Sequence, residues 1–359
     1  MRRINIGNKW VGPNDPCFII AEAGANANSD PILAENLIIK AAESGADAIK
    51  FQSYSAENLV TKTAPKYYVD NMDEFLNNAR PKGFQIDEFK QLDSLPKSVY
   101  FNLVKLAKEL NIIFLSTPFD KENVDFLEEL NVPAYKIASA DITYHEFLRY
   151  VAKKNRSIIL STGASTLNEV KEAVEIIEET GNKQIIILHC ILSYPTKYED
   201  ANLNMMQTLQ KEFPDIAIGL SDHSLGTLVP SLSVMLGAKV IEKHFTIDKS
   251  LSMSTDHFMS VDPPELKRMV QDIRNAELSK GRADKIPVAA EHDAVSYARR
   301  SLVASRDIKK GTVLTREMIV CKRPGTGISP KFLVDALNKK VKLDINEDTV
   351  ITWGMLGGK

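Results

Sequence analysis

Apolar positions along residues 17–277 follow two alternating rhythms. Short, nearly continuous Val/Ile/Ala/Leu runs fall at residues 17–24, 47–53, 112–119, 134–139, 157–163, 185–190, 217–224 and 240–246. Runs this short and apolar are the mark of strands covered on both faces. Between them lie segments such as PILAENLIIKAAESG and TLNEVKEAVEIIEETG, whose apolar residues recur at helical spacing and stop at Gly45 and Gly181. Repeated strand–helix units predict a parallel sheet closed into a (β/α)8 TIM barrel, with a doubly wound open sheet as the alternative. Residues 2–16 read as a hairpin ahead of the first barrel strand. Residues 54–95 form a long polar insertion after the second strand, and long loops at that position carry function.

The rhythm lapses over residues 278–296 (SKGRADKIPVAAEHDAVSY), and short strands, tight turns and glycines follow. The expected organisation is a barrel domain with its hairpin at 1–277, a linker at 278–296 and a small, mostly β domain at 297–359. The chain's 359 residues, 44% hydrophobic, suffice for one large core and a second small one. Its 45 basic and 47 acidic residues, net charge -2, are interspersed and give no broad field for nucleic acid or acidic membranes. Three scattered cysteines, Cys17, Cys190 and Cys321, argue against a disulfide framework or a Cys-based zinc site. With no apolar leader and no membrane-length apolar run, the expectation is a cytoplasmic protein.

Polar and ionisable residues gather at the C-terminal ends of the expected strands, the face where such barrels place active sites. They are Glu22, Lys50 with Gln52, Ser116 and Thr117, Lys136 and Ser139, Thr162, His189, Ser221 with His223, and Glu242 with His244. Side chains two apart share a face of a strand, so each pair can project into the barrel mouth together. His223 and His244 end neighbouring strands and could share a divalent cation with open positions for water and substrate. The same histidines read singly are hydrogen-bonded strand ends, as His145, His189, His257 and His292 are taken to be. Lys50 and Lys136, inside a barrel, each require an anion. That anion is a bound phosphate and carboxylate, or Glu22 and Glu242 in plain salt bridges; a Schiff-base lysine is the third option. Cys190 reads as a packed small hydrophobe.

The strings IAEAGAN (20–26), AIKFQSY (48–54), STPFD (116–120), YKIAS (135–139), HCILSYPTKYED (189–200), GLSDHS (219–224), EKHFT (242–246) and KRPGTG (322–327) resemble the sialic acid synthases. That family includes N-acetylneuraminate, legionaminate and pseudaminate synthases, and the tail resembles their antifreeze-like SAF domain. The resemblance implies condensation of phosphoenolpyruvate with an N-acylated amino-sugar aldehyde, N-acetylmannosamine first among the candidates, to a nine-carbon 3-deoxy-ulosonic acid. It makes His223 and His244 ligands of Mn2+ or Mg2+. Lys50, Thr117, Lys136, Ser139 and Ser221 become phosphoenolpyruvate contacts, with Glu22 near the metal. Gln52, Tyr194 and Asp256 fall on the sugar side, and Arg323 reaches the sugar's N-acyl group across a domain-swapped homodimer. Three departures touch the substrate side: Ala27 stands where the family has histidine, Leu192 where it has asparagine, and LSMSTD (251–256) replaces a shorter segment before Asp256. Against this reading stand a Schiff-base aldolase and an inactive carbohydrate-binding protein.

Overall fold

The computed structural model describes residues 1–92 and 95–357. Asp93 and Ser94 of the expected insertion, and Gly358 and Lys359 at the end of the expected small domain, lie outside the described residues. The chain divides into two compact units, Met1–Gly281 and Arg282–Lys359.

In the first unit β1 (Ile4–Ile6) and β2 (Lys9–Val11) pair antiparallel as the expected hairpin. The expected strands follow as β3 (Phe18–Gly24), β4 (Ala48–Ser53), β5 (Ile113–Pro118), β6 (Ala134–Ile137), β7 (Ser157–Ser161), β8 (Ile185–Cys190), β9 (Ala217–Asp222) and β10 (Val240–His244). They hydrogen-bond in parallel in the order β5-β4-β3-β10-β9-β8-β7-β6. The end strands β5 and β6 lie side by side, so the sheet curls into a near-closed barrel.

Helices cover the outside. Pro31–Glu43 starts on the Asp30 side chain, which accepts from the amides of Ile32 and Leu33. Leu167–Glu179 and Pro263–Lys280 each open on a capping box, Thr166 with Glu169 and Asp262 with Glu265. Gly45 and Gly181 take positive φ just past helix ends, which only glycine adopts without strain. Inside the barrel, Phe18, Ile20, Ala48, Leu115, Ala134, Ile159, Ile186, Leu188, Ala217 and Val240 pack into one buried cluster. Gly219 belongs to that interior: a Cβ there would lie 2.4 Å from the Val240 carbonyl oxygen. Among its described residues, the insertion after β4 holds three short helices, Ala56–Leu59, Met72–Leu76 and Gln85–Gln91.

The expected linker is partly helical. Pro263–Lys280 runs into its start, and the helix His292–Tyr297 lies at its end. Beyond it β11 (Ser301–Ala304) and β12 (Ile319–Lys322) pair antiparallel, around a small core that includes Leu302, Ile308, Leu314, Ile328, Val341 and Ile351. Among the described residues no helix is long and apolar enough to cross a membrane.

Candidate active site

The inward positions of the barrel change character along the strands. Below, they are the apolar cluster just described. Toward the C-terminal end they become Glu22, Lys50, Gln52, Thr117, Lys136, Ser161, Cys190, Ser221, His223, Glu242 and His244, all lining one cavity of about 490 Å³. The parallel register explains the convergence: Glu22 pairs with Lys50, Gln52 with Thr117, Cys190 with Ser221, and Ser221 with Glu242 at adjacent strand positions.

The lysines sit in an acidic cradle. Lys50 Nζ lies 2.5 Å from Glu22 Oε2 and 3.7 Å from Glu242 Oε2, and donates to Thr117 Oγ1 at 2.8 Å. Lys136 Nζ is 3.6 Å from Glu242 Oε1 and donates to the Ile137 carbonyl. Burial works against the Lys50 charge, but Glu22 and Glu242 outweigh it and hold its pKa above the ordinary lysine value. Lys136 has the weaker partner, and burial pulls its pKa down. Glu242, between both lysines and accepting from Ser221 Oγ at 2.9 Å, is held below the carboxylate range despite its burial. At Glu22 burial prevails over Lys50 and the pKa rises. Two of the three sequence expectations for the lysines are compatible with the cradle as it stands: salt bridges to the two glutamates exist, and hydroxyls stand beside them for an anion.

Those hydroxyls include one that sequence reasoning missed. Ser161 Oγ is buried and has no hydrogen-bond partner, although the side chain lines the cavity. The alternation along β7 could have found it, since Ile159 faces the core and Ser161 shares that face. Its neighbour Thr162 was expected there, but Thr162 Oγ1 is spent on the Leu188 carbonyl. Ser139 opens a 3-10 turn just past β6, accepts from the Gly163 amide at 2.8 Å and is hydrogen-bonded to Cys190. A Cβ on Gly163 would lie 3.0 Å from Ser139 Oγ, so this glycine keeps the cradle open. Leu192 lines the wall without a side-chain donor, and Ala27 is buried in the barrel's outer core.

His223 and His244 stand with ring centroids 5.3 Å apart. His223 Nδ1 donates to the Ile191 carbonyl at 2.8 Å, which leaves a lone pair on Nε2. His244 Nδ1 is buried without a hydrogen bond, 3.4 Å from Asp256 Oδ2. Burial and the neighbouring His223 push the His244 pKa well below the ordinary value, whereas Cys190 and the Ile191 carbonyl raise that of His223 against its burial. Among the described residues no group of three or more His, Cys, Asp or Glu is placed to hold an ion. The donor set fits a cation held by two imidazole nitrogens with its other positions open, and does not fit a closed protein cage.

Tyr194 packs 4.2 Å from His223, and Asp256 is carried to His244 on the turn Thr255–Met259. Burial, and then Glu88, raise the Asp256 carboxyl to about 7. Cys190, expected as mere packing, lines the cavity with Sγ 3.8 Å from His223 Nδ1. His189 Nε2 donates to the Ala201 carbonyl at 2.8 Å, and His257 is held between Thr246 and Asn28, as structural histidines are. Arg323 belongs to the C-terminal unit and is exposed there; the cavity is built wholly from the first unit.

Fold and site together define an α/β-barrel protein with a buried, doubly cationic pocket beside two histidines. The chain belongs to the NeuB family, which it matches over residues 37–285, and it carries a SAF domain over residues 299–357. It is 46% identical to an uncharacterized protein of Methanocaldococcus jannaschii over 358 residues, covering 100% of each chain. It is 42% identical to the N,N'-diacetyllegionaminic acid synthase of Legionella pneumophila, covering 98% of each. The crystal structure of the N-acetylneuraminic acid synthetase of Leptospira borgpetersenii, in complex with citrate, superposes with a TM-score of 0.72 at 35% identity, over 82% of this chain and 95% of that one.

Proposed function

We propose that this chain condenses phosphoenolpyruvate with the aldehyde of an uncharged, N-acylated amino sugar and water, giving a nine-carbon 3-deoxy-ulosonic acid and phosphate. The observation that carries the reading is the inward layer itself: two buried lysines ringed by hydroxyls, next to two imidazoles, in one cavity. Phosphoenolpyruvate offers a phosphate and a carboxylate. Lys50 and Lys136 supply the matching charges; Thr117, Ser139, Ser161 and Ser221 supply donors. Mn2+ or Mg2+ on His223 and His244 would act as a Lewis acid toward the sugar aldehyde. Glu22, whose pKa burial raises, is the carboxyl proposed beside the metal and the aldehyde oxygen, and Gln52, Tyr194 and Asp256 flank the acceptor. C3 of phosphoenolpyruvate bonds to the aldehyde carbon, whose oxygen takes up a proton. Water adds at C2, and phosphate departs with cleavage of the C–O bond.

The outer wall of the cavity bears on the acceptor. Leu59, Val60, Tyr67, Tyr68, Phe89 and Leu92 of the insertion line it, with Glu88, already paired to Lys66 at 3.0 Å, as their charged neighbour; the cations lining the cavity are Lys50 and Lys136. A phosphorylated sugar would set its phosphate against an apolar wall whose one carboxylate is already paired with Lys66, at a cost in desolvation. N-acetylmannosamine and a di-N-acetylated deoxy sugar both avoid that. The apolar wall and the relative named for legionaminic acid favour the latter. Assaying phosphate release from phosphoenolpyruvate with N-acetylmannosamine, its 6-phosphate and the di-N-acetylated deoxy sugar tests this. The third should turn over fastest and the phosphate ester slowest; no turnover with any of them would refute the condensation.

The lowered pKa of Lys136 favours one second reading, a Schiff-base aldolase. Borohydride trapping of the enzyme with a carbonyl substrate distinguishes it. Arg323 is proposed to complete the site of a partner chain in a domain-swapped homodimer, supported by its exposure and by the family resemblance. Mixing Arg323→Ala with Lys136→Ala chains under subunit exchange should then regenerate active sites. Exchange without recovered activity would remove the arginine from the partner's site. Cys17, Cys190 and Cys321 are all free thiols, in keeping with a cytoplasmic protein.

A further inference from the structure

Behind the two histidines, on the opposite face of the same strands, lies a buried charge pair with no place in the cavity. β9 and β10 are in register with Asp222 opposite Lys243, one residue before His223 and His244 respectively. Because side chains alternate, Ser221, His223, Glu242 and His244 face the mouth, and Asp222, Ser224 and Lys243 face away from it. All three are at most 4% exposed. Lys243 Nζ lies 2.6 Å from Asp222 Oδ2 and also donates to the Ser224 carbonyl. Asp222 Oδ1 accepts from the Ser224 amide at 3.1 Å, and Oδ2 from the Ser224 hydroxyl at 2.9 Å. His223 therefore sits on a loop whose two flanking residues are both tied to the residue that immediately precedes His244.

Stability does not account for this arrangement, since a buried ion pair is commonly matched or bettered by apolar side chains of the same volume. Geometry does. A lysine fixed by a carboxylate and a carbonyl admits one register and one loop conformation, which apolar packing would leave free to shift. The remaining backbone contacts complete the hold: Thr196 N donates to the His223 carbonyl at 2.9 Å and Val261 N to the His244 carbonyl at 2.8 Å.

We propose that Asp222 and Lys243 are positioning residues which, acting through Ser224, set the spacing of the two imidazoles and hence this chain's affinity for a divalent cation. The proposal rests on the two-histidine cation site proposed above. Outer residues that orient metal ligands typically contribute 10–100-fold in affinity.

The test uses the full chain stripped of metal, in wild-type form and as the double variant Asp222→Asn, Lys243→Met, which removes both charges and strands neither. Mn2+ titrated without substrates and followed by electron paramagnetic resonance should bind the variant about 10–100-fold more weakly, with little change in the thermal midpoint. In the metal-free proteins, the 1H–15N ring correlations of His223 and His244 should shift or broaden while that of His189 stays in place. Unaltered ring correlations and wild-type Mn2+ affinity in the folded variant overturn the proposal. If the double variant does not fold, Ser224→Ala, which keeps both charges, carries the same two readouts, and no change in either overturns it. The cation site is checked apart: Mn2+ binding to the wild type that survives His223→Ala sinks the two-histidine reading, while the ring spectra still decide on the clamp.

Discussion

The lower and upper halves of the barrel interior are built on the same strands and meet opposite demands. The lower inward positions, among them Ile20, Ile159, Leu188 and Val240, fill space. One or two inward steps on, the same strands place Glu22, Ser161, Cys190 and Glu242. Packing rules explain the first set and are broken by the second: buried lysines and glutamates, a serine without a partner, and an imidazole nitrogen without a hydrogen bond. A stable barrel needs none of these, so the upper layer is arranged for a ligand. The two units differ as well. Residues 282–359 carry 15 Lys/Arg against 9 Asp/Glu, whereas residues 1–281 carry 30 against 38. The acidic unit nonetheless holds Lys50 and Lys136 in its cavity, so the proposed anion site owes nothing to overall charge.

The sharpest break in the comparison is Lys50→Met. It strands Glu22 in a buried site and takes one of two lysines from Glu242, and chemical denaturation should show a loss of about 3–5 kcal/mol together with abolished turnover; a stable, active variant would mean the upper layer is ordinary packing. Ile159→Ala, on the lower half of β7, should cost about 2–5 kcal/mol while leaving the KM for phosphoenolpyruvate at its wild-type value. Two positions further along that strand the outcome should invert. Ser161→Ala removes a hydroxyl that has no partner in the free protein, so stability should hold or rise by about 1 kcal/mol. The KM for phosphoenolpyruvate should rise by about 10-fold, the loss of one hydrogen bond to a charged group. A stability loss with unchanged KM would place Ser161 with the packing residues.

A further effect concerns pH. Asp256 is raised from the ordinary 3.8 to about 7, chiefly by burial. The folded protein thus holds a proton there that the unfolded chain releases, and the stability this contributes is complete below pH 3.8 and lost as pH rises through 7. Metal-free wild type should lose stability relative to Asp256→Asn between pH 5 and about 8. A difference that stays constant across that range contradicts the assignment.

How far the sequence carried depended on which physical signal each feature leaves. The barrel strands were legible to within two residues at either end, because doubly buried strands and amphipathic helices write their period into the chain. Most of the upper layer followed from strand ends and alternation. Ser161 escaped because Thr162, one residue on, is as polar and only backbone geometry tells which faces inward. Cys190 escaped because its side chain is apolar by type, and its place in the wall depends on three-dimensional neighbours. The linker at 278–296 was read from charge and aperiodicity, yet Pro263–Lys280 extends into it and His292–Tyr297 is helical. Hydrogen-bonded turns need no apolar face to form on a surface.

In the proposed reaction the upper layer holds phosphoenolpyruvate for attack from C3, with water taken up at C2. Phosphoenolpyruvate carrying 18O in the oxygen that bridges C2 and phosphorus tests it most directly, with the accepted amino sugar and the metal-loaded enzyme. Mass spectrometry of both products should find the label in the released phosphate and unlabelled oxygen at C2 of the sugar acid. Label retained in the sugar acid would mean that water attacks phosphorus, and that the lysines and hydroxyls of the barrel mouth serve a different reaction.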